Sequence, residues 1–446
     1  MKRWFLAILF VLSLWLPTQI AAQEPIRVLD QSVETAFRDY ITFNITAEGD
    51  SPITEARLLY RVAGQIATAR GDEEIRPDTQ VEASFTIEQE RDYLPPGTEL
   101  EYWWKIKDEA GNEVKTEPQP LVYIDDRQDW QTLSSDRLTL YWYRGDRAFG
   151  EALFEQANKT LDQIEAEAGV KVELPVKIFI YGSFSDLRDA IAVGAQEWTG
   201  GQAFTDQGVV VIGVSPSDLT YGLVATPHEL THLVIHQATD NPYGDIPRWL
   251  DEGLAVYISG ELDAGWRGYR AQVADSAKSD RLMTLQTLSS SFPADSELAG
   301  QAYAQSGAVV EFVIQNYGED AMAELLDIFS EGALYDDALE QALGVDTWEL
   351  DNTWRQSMGA PSLEIPGVAS GETAPEPVPA TEEPAVAPTE VSASDVSDDA
   401  SSDASSDASS SPAGRSLPLP CLGSSLTGLA VLGMFVLFRA RGSAGT

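Results

Sequence analysis

The chain has 446 residues, which at roughly 100 to 200 residues per domain leaves room for two folded domains and tails. Its 71 Asp and Glu against 29 Lys and Arg give a net charge of −42, so the chain repels a phosphate backbone, and this excludes nucleic acid as a partner. A single cysteine, Cys421, rules out an intramolecular disulfide, so stability must come from buried apolar surface or from a metal.

The N-terminus has the layout of an export signal over residues 1–22: Lys2 and Arg3, an apolar stretch at 4–16, then Ala21 and Ala22. Residues 24–126 alternate in short runs at 40–45, 56–62, 81–87 and 101–107, with turn signals at Pro95, Pro96 and Gly97 and at 108–112. That spacing predicts an all-β, immunoglobulin-like antiparallel sandwich acting as a spacer or a support.

Residues 130–361 change texture. Strands are expected at 138–143, 176–181 and 209–214, and Phe149, Leu153, Ala157, Leu161, Ile164 and Ala168 share one helix face. Strands first and helices later indicate an α+β domain. Within it lie the chain's three histidines, His228, His232 and His236. The five residues HELTH at 228–232 put His228 and His232 on one side of a helix, able to share an ion, with Glu229 close enough to reach a bound water. His236 would lie about 12 Å along the axis from His228, at about 1.5 Å per residue, too far to join the same ion. Zinc needs a third ligand and an open fourth position. The candidate is Glu252, in WLDEGLAVY at 249–257, which reads as a second helix after a loop containing Pro242, Gly244 and Pro247. Thr226, Pro227 and Glu229 also fit a helix start, with Thr226 as cap.

From 366 to 415 the composition shifts to Pro, Ala, Ser, Thr, Asp and Glu, with the repeat SSDASSDASS at 401–410, the signature of an acidic, extended linker. Residues 417–438 carry no charge and are long enough to cross a bilayer, and Arg439 and Arg441 follow. Basic residues stay on the cytoplasmic side, so a short tail at 439–446 is expected inside and the N-terminal domains at the cell surface.

HELTH followed by WLDEGLA resembles the gluzincin branch of the zincin metallopeptidases, and most of all its peptidase-MA-like families. The resemblance implies a zincin-like fold over 130–361, one Zn2+ per chain held by His228, His232 and Glu252, and Glu229 as general base. It further implies Tyr303, in AYAQSGAVVEFVIQNYG at 302–318, as a stabiliser of the oxyanion, and an edge strand in TGGQAFTDQGVVVIGV at 199–214 that pairs with an extended substrate. Two departures stand out. Val256 occupies the position of the thermolysin-like aspartate, so another group, Asp251 or a backbone carbonyl, must orient a histidine, and the GxMEN motif of aminopeptidases is missing upstream. The expected activity is therefore that of an exported, membrane-tethered endopeptidase acting on peptide or protein; the competing expectation is a non-catalytic surface adhesion protein that keeps the peptidase fold.

Overall fold

The computed structural model describes residues 24–364 apart from 73, 173 and 192–199. The export signal, the acidic linker, the apolar segment at 417–438 and the basic tail all lie outside the described residues. Among those that are described, no helix is long and apolar enough to cross a membrane. The described residues up to Pro361 fall within one compact unit.

The N-terminal region is built from β1 (Ile26–Ala36), β2 (Tyr40–Val62), β3 (Ala69–Asp72), β4 (Asp78–Glu88), β5 (Thr98–Asp108), β6 (Glu113–Lys115) and β7 (Gln119–Tyr123). The two alternating runs at 40–45 and 56–62 are the ends of one long strand. The first half of β2 pairs with β1 and β4, and the second half with β3 and β5. Its register with β4 shifts between Glu48 and Ile53. The rings of Phe43 and Tyr60 lie 6.2 Å apart, whereas a straight strand would separate them by roughly 55 Å at about 3.3 Å per residue. β2 is therefore bent back on itself. An immunoglobulin-like sandwich has two separate sheets; here all seven strands are hydrogen-bonded into one antiparallel sheet, folded over at the β2 bend. Alternate residues of β2 and β5, among them Ile41, Phe43, Ile45, Leu58, Trp104 and Ile106, fill the space between the layers.

The second region holds a five-stranded sheet in the order β11-β12-β10-β9-β8. Its members are β8 (Gln131–Ser134), β9 (Leu138–Trp142), β10 (Val176–Tyr181), β11 (Gly201–Phe204) and β12 (Val209–Gly213). β9, β10 and β12 run parallel, flanked by antiparallel β8 and β11. The helix α1 (Arg147–Ala168) crosses from β9 to β10, capped by Asp146 at its start and by the left-handed Gly169 at its end. After α2 (Phe184–Ala190) and β12 come α3 (Leu219–Thr239), α4 (Arg248–Ser259), α5 (Tyr269–Lys278), α6 (Leu285–Leu288) and α7 (Ser296–Tyr317). α8 (Glu319–Ser330), α9 (Tyr335–Leu343) and α10 (Thr347–Ser357) complete the helical part.

A parallel sheet is buried on both faces, and here the two faces bury different partners. Ile178, Ile180, Val210 and Ile212 join the helical core. Phe179, Tyr181, Val209 and Val211, one position out of phase, join the core of the N-terminal sheet. Trp130 stands edge-on to Phe179 at 5.1 Å and to Tyr181 at 5.3 Å, and Tyr141 stacks on Phe179 at 4.3 Å. Asp125, fully buried, pairs with Arg127 at 2.8 Å and accepts from the Tyr181 hydroxyl at 2.9 Å. The N-terminal region thus supports the second by covering one side of its sheet.

Candidate metal centre

α3 carries His228, Glu229 and His232. Asp218 caps it by accepting from the Tyr221 amide, so the helix begins at Leu219 and Pro227 lies inside it. The local rule that makes Thr226 a cap is overruled by tertiary packing: the apolar residues Leu230, Leu233, Val234 and Ile235 bury against the sheet and α1, and the earlier turn extends that contact. Pro227 cannot donate to the Leu223 carbonyl, and that carbonyl is one the helix leaves without its usual partner.

α4 packs across α3 and brings Glu252 to the histidine pair. His228 Nε2 and His232 Nε2 lie 3.4 Å apart, and Glu252 Oε2 is 3.7 Å from the first and 3.3 Å from the second. Bonds of ~2.0 to 2.1 Å at tetrahedral angles place ligand atoms about 3.3 Å from one another, so the three atoms have the spacing that a zinc ion requires. All three residues are buried, and Glu252 Oε2 has no hydrogen-bond partner among the described residues. Three acceptors facing one another, with an orphaned buried carboxylate oxygen among them, fit a cation, and the imidazole–carboxylate donor set suits zinc.

The surrounding groups fix these side chains. His232 Nδ1 donates to Asp251 Oδ1 at 2.6 Å, which leaves its Nε2 lone pair for the centre. His236 is no part of the ligand trio: its Nε2 donates to the same Asp251 oxygen at 3.1 Å. Burial pushes the Asp251 carboxyl up, but His232 and His236 outweigh it and hold it well below the usual carboxylate range. Burial likewise opposes a charge on His232, yet Asp251 and Glu252 keep it well above ordinary imidazole; a divalent ion, where bound, would take the place of that proton. The Glu252 carboxyl, pushed up by burial, is brought down to about 2 chiefly by Arg248, whose Nη2 donates to Oε1 at 2.6 Å.

Glu229 is fully buried, and neither carboxylate oxygen has a hydrogen-bond partner among the described residues. Burial raises its pKa to about 7, against the pull of His228 and His232. The edge strand β11 runs beside it. A Cβ on Gly201 would sit 2.7 Å from Glu229 Cγ, Cδ and Oε1, so only glycine lets the strand come this close.

Tyr303 reaches the centre through a second close approach, between α4 and α7. A Cβ on Gly253 would meet the Ser306 carbonyl at 2.6 Å, and one on Gly307 would meet Val256 Cγ1 at 2.5 Å. With the helices this near, the Tyr303 hydroxyl donates to Glu252 Oε1 at 3.5 Å. Burial keeps its phenol well above the usual 10, so it stays protonated and a donor at neutral pH. All five predicted site residues are therefore brought together. Arg248 and Gly201 were not singled out from sequence; only the placement of Arg248 one turn before Glu252 could have pointed to it.

Residues 156–360 match the family model described as the Peptidase MA superfamily. Among solved structures, an M1 zinc metallopeptidase from Deinococcus radiodurans aligns over 77% of this chain and 95% of its own, at 12% identity and a TM-score of 0.35. OgpA from Akkermansia muciniphila aligns over 23% of this chain and 30% of its own, at 9% identity and a TM-score of 0.20. The chain spans about a third of the length of that protein. No curated protein matches.

Proposed function

We propose that this chain, whose residues 156–360 match the Peptidase MA superfamily model, is a zinc-dependent endopeptidase, exported and tethered at the cell surface by its C-terminal apolar segment. The observation that carries the reading is the approach of His228 Nε2, His232 Nε2 and Glu252 Oε2 to within 3.3 to 3.7 Å of one another. His228, His232 and Glu252 hold the ion. Bound zinc supplies a Lewis acid that makes water a nucleophile near neutral pH. Glu229, buried and without a competing donor, takes the proton of the attacking water and delivers it to the leaving amine. The Tyr303 hydroxyl, protonated and next to Glu252, donates to the oxyanion that develops on the scissile carbonyl. The endopeptidase assignment follows from the missing free-amine motif of aminopeptidases.

The test is zinc content together with cleavage of an unfolded protein substrate by the purified chain, with and without chelator. One zinc per chain and chelator-sensitive cleavage are expected. Zinc bound at one per chain with every substrate left intact would instead favour a non-catalytic binding protein, and failure to bind zinc would sink the proposal.

A further inference from the structure

The two histidines of the centre differ in what holds their outer nitrogen. His232 Nδ1 has a carboxylate at 2.6 Å. His228 Nδ1 is buried and has no hydrogen-bond partner among the described residues, although the imidazole is 1% exposed. An imidazole presenting Nε2 to a metal carries its proton on Nδ1, and that buried N–H costs free energy if it finds no acceptor. The nearest carboxylate is Glu261, 2% exposed, with Oε2 at 3.7 Å from His228 Nδ1.

Glu261 is placed there by the way α4 ends. Gly260, at φ 74°, takes the left-handed turn that closes the helix, and its amide donates to the Tyr257 and Val256 carbonyls. The Glu261 amide then donates to the Val256 carbonyl at 3.2 Å, which turns the residue back along α4 toward α3. Its other oxygen, Oε1, accepts from Arg267 Nη2 at 2.9 Å, which holds the carboxylate inside the fold. A buried carboxylate held on one side by an arginine faces an unsatisfied imidazole nitrogen at 3.7 Å, about 0.7 Å beyond the ~3.0 Å of an N–H···O bond, a gap that a small side-chain rotation closes.

We infer that Glu261 is the positioning residue of His228: it accepts the Nδ1–H and so fixes the tautomer and ring orientation in which Nε2 faces the zinc, as Asp251 does for His232. The inference rests on the zinc reading proposed above. In the thermolysin-like members of the branch this chain resembles, an aspartate stands at the position of Val256; here a residue beyond the end of the helix fills an equivalent role.

The test is the zinc affinity of the full chain, measured by competition with a chromophoric chelator, for wild type, Glu261→Ala and Glu261→Gln, alongside the visible spectrum of the Co2+-substituted proteins and the circular dichroism of the metal-free ones. Loss of an outer partner of this kind costs about 10- to 100-fold in metal affinity, and this is the expectation for Glu261→Ala. Glu261→Gln keeps an acceptor but loses the charge, so it should bind zinc more weakly than wild type and more tightly than Glu261→Ala, and its Co2+ bands should shift less. If the alanine variant fails to fold, the glutamine variant carries the test. Equal affinity of wild type and either folded variant overturns the assignment of Glu261 while leaving the peptidase reading intact. A wild-type chain that takes up no zinc overturns both.

Discussion

Gly201→Ala is the sharpest perturbation of the site because it adds one methyl group next to Glu229, the proposed general base, and touches none of the proposed metal ligands. The new Cβ would lie 2.7 Å from Glu229 Cγ, Cδ and Oε1. Carbon atoms settle at about 3.5 to 4.0 Å, so Glu229 or β11 must retreat by about 1 Å. Neither has room to do so freely, since Glu229 is fully buried and β11 is paired along its length to β12. Forcing such a contact costs about 1 to 3 kcal/mol, and a displacement of about 1 Å of a reacting group can cost ~10²-fold in rate. The expected outcome is a folded protein with one zinc per chain whose kcat/KM on an unfolded protein substrate falls about 10²-fold. Gly244→Ala serves as control, because a Cβ there meets nothing within 4 Å. A zinc-replete Gly201→Ala enzyme with wild-type kcat/KM would refute the placement of Glu229 as the base beside this strand.

Glu229→Gln should retain zinc while losing activity by ~10² to 10⁴-fold, the range for a general base, as read from metal analysis and kcat/KM on the same sample. Burial raises the Glu229 carboxyl to about 7, and the group must be ionised to accept a proton, so activity is lost as pH falls. A divalent ion beside it favours the carboxylate, and the acid limb of kcat/KM should therefore have its midpoint at or below about 7 and shift when the metal is changed; a limb centred well above that value contradicts the assignment. Asp125→Ala removes the partner of Arg127 and of the buried Tyr181 hydroxyl. Arg127 is 41% exposed and can turn to water, so the loss should be less than the ~3 to 5 kcal/mol of a fully buried pair. About 2 kcal/mol is expected from denaturant unfolding, mostly from the orphaned tyrosine hydroxyl, and a change below about 0.5 kcal/mol, the range of an ordinary surface substitution, would speak against the network.

The parts of this site that could be read from sequence are those set by helical periodicity. His228, Glu229 and His232 follow from a four-residue spacing on one helix, and the strands at 176–181 and 209–214 follow from apolar runs. Glu252 required one further step, the folding back of α4. The remainder depends on close approach between elements far apart in the chain, which local pattern does not encode. Gly201 and Gly253 look like ordinary glycines until β11 and α7 are brought against their neighbours. Glu261 looks like a solvated residue after a helix cap until the Gly260 turn directs it inward. Thr226 and Pro227 offer one possible start for α3, but a longer apolar contact surface carries the helix back to Leu219 past that local cap signal. In the N-terminal region, two alternating runs were expected as separate strands of a sandwich, because periodicity reports which face is buried and is silent about a bend at Glu48–Ile53 that joins them.

The sharing of one sheet between two cores makes residue 126 a boundary of texture and not of thermodynamics. Tyr93 donates to the Ala190 carbonyl at 2.9 Å, and Gln65 Nε2 donates to the Asp206 carbonyl at 3.1 Å, so loops of the N-terminal region grip the chain on both sides of β11. Melting should accordingly register as a single calorimetric event spanning both regions. A second region excised alone would present a wet apolar wall and a slack β11, making the intact pair the smallest piece worth assaying.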